Sequence, residues 1–108
     1  MATRRRRITW APSAQAALDA ALDYIAQDSL SGAQKILHAA LDLADSLETL
    51  SERGRVVPEL RNPAIREVFV HSYRLIYEVR EAEIEVVAFL HGARDFVRWL
   101  REQSEDPH

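Results

Sequence analysis

The sequence predicts an α+β domain, ordered β-α-α-β-β-β with a short C-terminal helix, in which a helical hairpin packs on a small antiparallel sheet. Three observations lead there. Apolar residues recur at helical spacing in two consecutive segments of the first half, and they alternate with period two in three segments of the second half. The links within each set are too short for anything but antiparallel neighbours.

Arg6 to Trp10 is short, β-branched and aromatic, which suits a first strand. Pro12-Ser13 supplies a helix start with Ser13 as a cap. Ala14, Ala17, Leu18, Ala21, Leu22 and Ile25 then form one stripe through about Gln27, with Asp19 and Asp23 opposite. Asp28-Ser29-Leu30 interrupts the pattern. Ser31-Gly32-Ala33-Gln34 matches a capping box, and a longer helix follows on Ala33, Ile36, Leu37, Ala40, Leu43, Ala44, Leu47 and Leu50. Gly54 is placed to end that helix in a left-handed conformation. Pro58, Asn62 and Pro63 mark a loop from Val56 to Ala64, within which Val56-Val57 can pair locally.

The period then switches to two. Arg66 to His71, Arg74 to Arg80 and Ile84 to His91 read as strands, the last two joined as a hairpin through Glu81-Ala82-Glu83. In the middle strand Leu75, Tyr77 and Val79 share one face, and Arg74, Ile76, Glu78 and Arg80 share the other, so one face is core and the other mixed. Arg94 to Gln103 forms a short amphipathic helix bearing Phe96, Val97 and Leu100.

With 108 residues, 47% of them hydrophobic, the chain has room for one domain and one core. Residues 1–7 are expected to form a basic, disordered arm, residues 8–103 the domain, and residues 104–108 a polar tail. The absence of cysteine excludes disulfides, a thiolate nucleophile and Cys-based zinc sites, and it fits a reducing cytoplasm. No metal or other cofactor is expected. Arg4 to Arg7 imitates the start of a signal peptide, but Ile8 to Ser13 is no apolar core for one. No apolar run approaches the ~20 residues that span a bilayer, so the expectation is a soluble, cytoplasmic protein with no membrane partner.

The net charge of −3 is unevenly spread: residues 8–52 carry one Lys against seven acids, and residues 53–101 carry nine Arg against seven acids. A dedicated nucleic-acid binder is usually strongly basic, and this chain is not. Thirteen of its fourteen basic residues are Arg, suited to forked contacts with carboxylates and phosphates, although high-GC coding gives the same bias.

Six groups of residues stand in a distinctive order: Trp10 to Ala14 leading to Asp23 to Ser29, then Gly54-Arg55, Val57-Pro58-Glu59, Ile65-Arg66-Glu67, Tyr73 to Tyr77, and His91 to Arg94. Each is common alone. In that order and spacing, over nearly the whole chain, they resemble the ParE branch of the ParE/RelE toxin superfamily, which includes plasmid-stabilising toxins of type II toxin-antitoxin pairs. The resemblance implies the fold deduced above and a non-enzymatic poison of DNA gyrase, neutralised by a cognate antitoxin of the ParD type or a related family in a hetero-oligomer. Two alternatives stand beside it: a RelE-type endonuclease that cuts messenger RNA on the ribosome, and a degenerate toxin that serves only as an antitoxin-binding co-repressor.

Cleavage by a 2′-hydroxyl needs a base, an acid and cations around the phosphorane. For that reaction Glu59, Tyr73 and His91 are candidate proton-transfer groups, with Arg55, Arg66, Arg74 and Arg94 as phosphate clamps; no catalytic residue is assigned otherwise. Arg55, Glu59, Arg66, Tyr73, Arg74, His91 and Arg94 together form the expected target surface. Plainer roles compete: Arg66, Glu67, Arg74 and Glu78 as cross-strand charge pairs worth ~0.2–1 kcal/mol each, Tyr73 and Tyr77 as core aromatics, His91 in a turn, and Arg55 and Glu59 holding the loop. Interleaved acids, and a single lysine at Lys35, favour the gyrase reading over the ribosomal one. Tyr24, Leu30, Leu41, Phe96, Trp99 and the edge of the last strand are the candidate antitoxin contacts.

Overall fold

A computed structural model describes residues 5–105. Its elements are β1 (Arg7–Trp10), α1 (Pro12–Ala26), α2 (Leu30–Ser46), β2 (Arg55–Val56), a 3-10 turn (Pro58–Leu60), β3 (Ile65–Val70), β4 (Tyr73–Val79), β5 (Glu83–His91) and α3 (Gly92–Glu105). They form one five-stranded sheet in the order β1-β5-β4-β3-β2. The predicted α+β class therefore stands, with two additions. β2 pairs antiparallel with β3 at one edge, and β1 lies parallel to β5 at the other, so the sheet is mixed.

Helix α1 starts on Pro12 with Ala11 as its cap residue, so Ser13 is not the cap. Proline's fixed φ and missing N–H suit the first helical position without a side-chain cap. Helix α2 is capped by Ser29 instead of Ser31: Ser29 is extended, and its hydroxyl accepts the Gly32 N–H at 2.9 Å. The helix ends at Ser46, before Leu50 and well before Gly54, which does not cap it. Gly54 answers a different demand. A Cβ there would sit 2.6 Å from the Glu67 carbonyl oxygen and 2.7 Å from the Tyr77 hydroxyl, so only glycine lets the chain pass.

Ala14, Leu18, Ile36, Ala40 and Leu47 of the helical hairpin pack on Leu75, Tyr77, Ile84 and Val86 of the sheet to make the main core. The alanines bring helix backbones near each other and near the sheet. At its far margin the Tyr77 hydroxyl donates to the Ser51 carbonyl at 2.9 Å and accepts the Gly54 N–H at 3.0 Å, tying the loop after α2 to the sheet. Burial pushes the Tyr77 phenol above its ordinary range. A second, smaller core lies on the opposite face, where α3 crosses the sheet: Val57, Ile76, Ala88 and Phe96, flanked by Trp99 and Leu100. That is why the mixed face of β4 holds a fully buried Ile76.

Part of the expected basic arm belongs to the domain. Arg7 opens β1, and Arg6 donates from its backbone to Glu48, from Nε to the Arg80 carbonyl at 2.8 Å, and from Nη1 to Ser51 at 2.9 Å. Residues 1–4 of the arm and 106–108 of the tail lie outside the described residues. Among the described residues no helix is long and apolar enough to cross a membrane.

Candidate functional site

Because β-strand side chains alternate, adjacent residues of β4 serve opposite faces of the sheet. Arg74 points to the face crossed by α3. There β2, β3 and β4 bring Arg55, Glu67 and Arg74 together around a carboxylate whose side chain is 0% exposed. Arg55 Nε donates to Glu67 Oε2 at 2.5 Å, and Arg74 Nη1 stands 3.3 Å from Oε1. The second contact is an ion pair without hydrogen-bond geometry, since Oε1 has no hydrogen-bonding partner. Arg74, itself 26% exposed, lies 4.1 Å over the Phe96 ring of α3 and 5.5 Å from the Phe69 ring of β3. The group is thus a buried carboxylate held by two guanidinium groups, one of them stacked beneath the C-terminal helix.

Tyr73 points to the opposite, helix-covered face. Its ring stacks on Phe89 at 4.9 Å and meets His91 at 4.7 Å, beside a shallow groove lined by Ala17, Ala21, Tyr24 and Asp95. Burial first, and then Tyr24, pushes the Tyr73 phenol above the usual tyrosine range, away from the values a proton-transfer group needs at neutral pH. Arg66 also faces the helical side, opposite Tyr77, where it donates to the Gly54 carbonyl at 2.8 Å. That position lies four residue steps along β4 from Tyr73, about 13 Å of strand. Glu59 is exposed on the 3-10 turn and Arg94 on the first turn of α3.

The structure therefore gathers Arg55 and Arg74 around Glu67, and Tyr73 with His91, but keeps the two groups on opposite faces and Arg66 apart from both. Among the described residues no cluster of His, Asp and Glu could hold a metal.

Of the expected antitoxin contacts, Tyr24 (70% exposed), Leu30 (67%) and Leu41 lie open on the helical hairpin. Phe96 does not: it is a core residue beneath Arg74, and Trp99 is half-buried beside it with ring centroids 6.2 Å apart. The edge of the last strand is covered in part: β1 pairs with Glu83 to Val86, and among the described strands none lies on that side of Val87 to His91. Beside Glu83 to Val86 the outer edge of the sheet is β1. The sequence reading passed over Arg98 and Arg101, whose spacing from Arg94 puts all three on one side of α3, and Phe69, an exposed aromatic beside Arg74.

Residues 8–96 match the family model described as the ParE toxin of the type II toxin-antitoxin system parDE. The curated Toxin RelE2 of Caulobacter vibrioides is 36% identical over 89 residues, covering 82% of this chain and 97% of that protein. Among solved structures, the chromosomal ParDE system from P. aeruginosa superposes with a TM-score of 0.67 at 19% identity, over 83% of this chain and 99% of the other. The YoeB dimer from Staphylococcus aureus superposes with a TM-score of 0.55 at 17% identity, over 82% of this chain and 99% of the other.

Proposed function

Since the chain belongs to the ParE toxin family and is the toxin of a type II toxin-antitoxin system, we propose that it acts as a non-catalytic poison of DNA gyrase. The observation that carries this reading is the separation of the groups that strand cleavage would need. A 2′-hydroxyl attack requires base, acid and cations within hydrogen-bond reach of one phosphate. Tyr73 and His91 lie on one face of the sheet, Arg74 is on the other and committed to Glu67, and Arg66 is committed to the Gly54 carbonyl. These arginines hold the fold, which leaves Arg94, Glu59 and the outer side of Arg55 as the surface for a macromolecular target.

An antitoxin encoded with the chain keeps it silent. Its docking surface in this reading is the open side of the helical hairpin at Tyr24, Leu30 and Leu41, continued by the outer edge of β1 and the part of β5 beyond Val86. Pairing there would satisfy outward backbone groups of Ile8 and Trp10. The second reading, a ribosome-dependent endonuclease, draws on the RelE name of the Caulobacter relative.

Induction in a bacterium separates them. Gyrase poisoning predicts growth arrest with an SOS response, rescued by the neighbouring open reading frame. Arrest without SOS, accompanied by cleaved messenger RNA, would overturn the proposal in favour of the second reading. No arrest at all would identify a degenerate co-repressor.

A further inference from the structure

Helix α3 carries an exposed basic ridge. Each residue of an α-helix turns by about 100°, which places Arg94, Arg98 and Arg101 within an arc of about 60°. Phe96, Trp99 and Leu100 occupy the opposite side and fix it against the sheet. Arg94, Arg98 and Arg101 are exposed and line one shallow surface with Ala93 and Val97. Among the described residues these three make one ion pair, the long contact of Arg98 with Asp95, at 3.9 Å. Two of the three acids of the helix, Asp95 and Glu102, sit on the flank turned toward α1, beside Ser13 and Ala17, with Arg98 at its border; the third, Glu105, is the last residue of the helix.

We infer that this ridge binds the phosphodiester backbone of duplex DNA, independently of sequence. Two features favour phosphate over an acidic protein. Protein interfaces are anchored by buried aromatic or aliphatic side chains with charge at the rim, and both aromatics of α3 are turned inward, leaving Val97 as the ridge's one sizeable apolar group. Phosphate contact needs only charge and the guanidinium fork. The spacing suits it as well: the three arginines span about 10.5 Å of helix axis, against an advance of about 3.4 Å per phosphate along one DNA strand. With a chain of net charge −3 the binding is weak and strongly dependent on salt.

The inference goes beyond the gyrase reading and is tested without gyrase, so the two fail separately. Fluorescence anisotropy of the full chain with a labelled mixed-sequence duplex is followed between 50 and 200 mM KCl, a range over which three phosphate contacts weaken binding by about 40-fold. The expected slope of log K against log salt is about −2.7, each single Arg→Ala change reducing it by about 0.9. R94A/R98A/R101A should keep the wild-type thermal melt and lose binding, and R5A/R7A should retain it. Three results overturn the inference: no salt-dependent binding by the wild-type chain, binding that survives the triple substitution or is abolished by R5A/R7A, or a poly-glutamate peptide that binds more tightly than the duplex. The last would assign the ridge to an acidic protein segment.

Discussion

Replacing Arg74 by alanine should unfold this protein more readily than any other single arginine change. The reason is Glu67, whose side chain is 0% exposed and whose Oε1 has Arg74, 3.3 Å away, as its partner. Removing one member of a fully buried ion pair costs about 3–5 kcal/mol. Here Arg74 is 26% exposed and Arg55 still holds Oε2, so roughly 2 kcal/mol is the expected share of that range. Loss of the guanidinium over Phe96 adds about 0.5–1 kcal/mol. A total near 2.5 kcal/mol corresponds to a fall in Tm of about 10–20 °C for a domain of this size. Urea unfolding followed by far-UV circular dichroism measures it directly. The double variant E67M/R74M should recover most of the loss, because an apolar pair of similar volume needs no counter-charge. An R74A loss below about 0.5 kcal/mol, or a double variant that equals the sum of its singles, would refute the claim that the pair is coupled and structural.

Gly54→Ala should cost about 1–3 kcal/mol, since the added carbon meets the Glu67 carbonyl oxygen, which belongs to a paired strand and cannot retreat; an unchanged thermal melt would contradict this. Tyr77 sets an alkaline limit. Its raised phenol pKa means that its contribution is fully present below the ordinary tyrosine value of about 10 and is lost as pH rises through the folded value. Urea midpoints above that pH should therefore fall, and Tyr77→Phe, less stable at neutral pH by about 1–3 kcal/mol, should fall less steeply; an equally steep fall would place the titration elsewhere. Arg94→Ala should leave stability within about 0.5 kcal/mol of wild type while reducing growth arrest on induction, and an Arg94→Ala protein that melts early would mean that this arginine, too, is structural.

The helical hairpin and the three long strands were legible because their periods of 3.6 and 2 are local properties of the chain. Strand alternation also separates Tyr73 from Arg74, a split that a strand begun at Arg74 and a single target surface holding both residues overlook. The parallel placement of β1 beside β5 was not legible, since no local pattern encodes which distant strand becomes a neighbour, and it covers the first half of an edge that β5 was expected to leave free. Ser29 and Ser31 both offer a hydroxyl near the start of α2, and only the extended backbone at Ser29 decides between them. Burial of Glu67 depends on β2 and on α3 crossing the sheet, both remote in sequence, so its charge pairing could be expected but not its complete removal from water. The ridge on α3 was legible in its i, i+4, i+7 spacing, yet only the inward turn of Phe96 and Trp99 makes it a ridge.

The proposed action on gyrase, without cleavage of RNA by the chain itself, is open to direct measurement. The direct measurement gives the purified chain to DNA gyrase with relaxed plasmid and ATP and, in parallel, to translating ribosomes with a defined messenger RNA. A gyrase poison causes loss of supercoiling with accumulation of linear, gyrase-linked DNA, and leaves the message intact. Unimpaired supercoiling together with messenger cleaved in the ribosomal A site would contradict it.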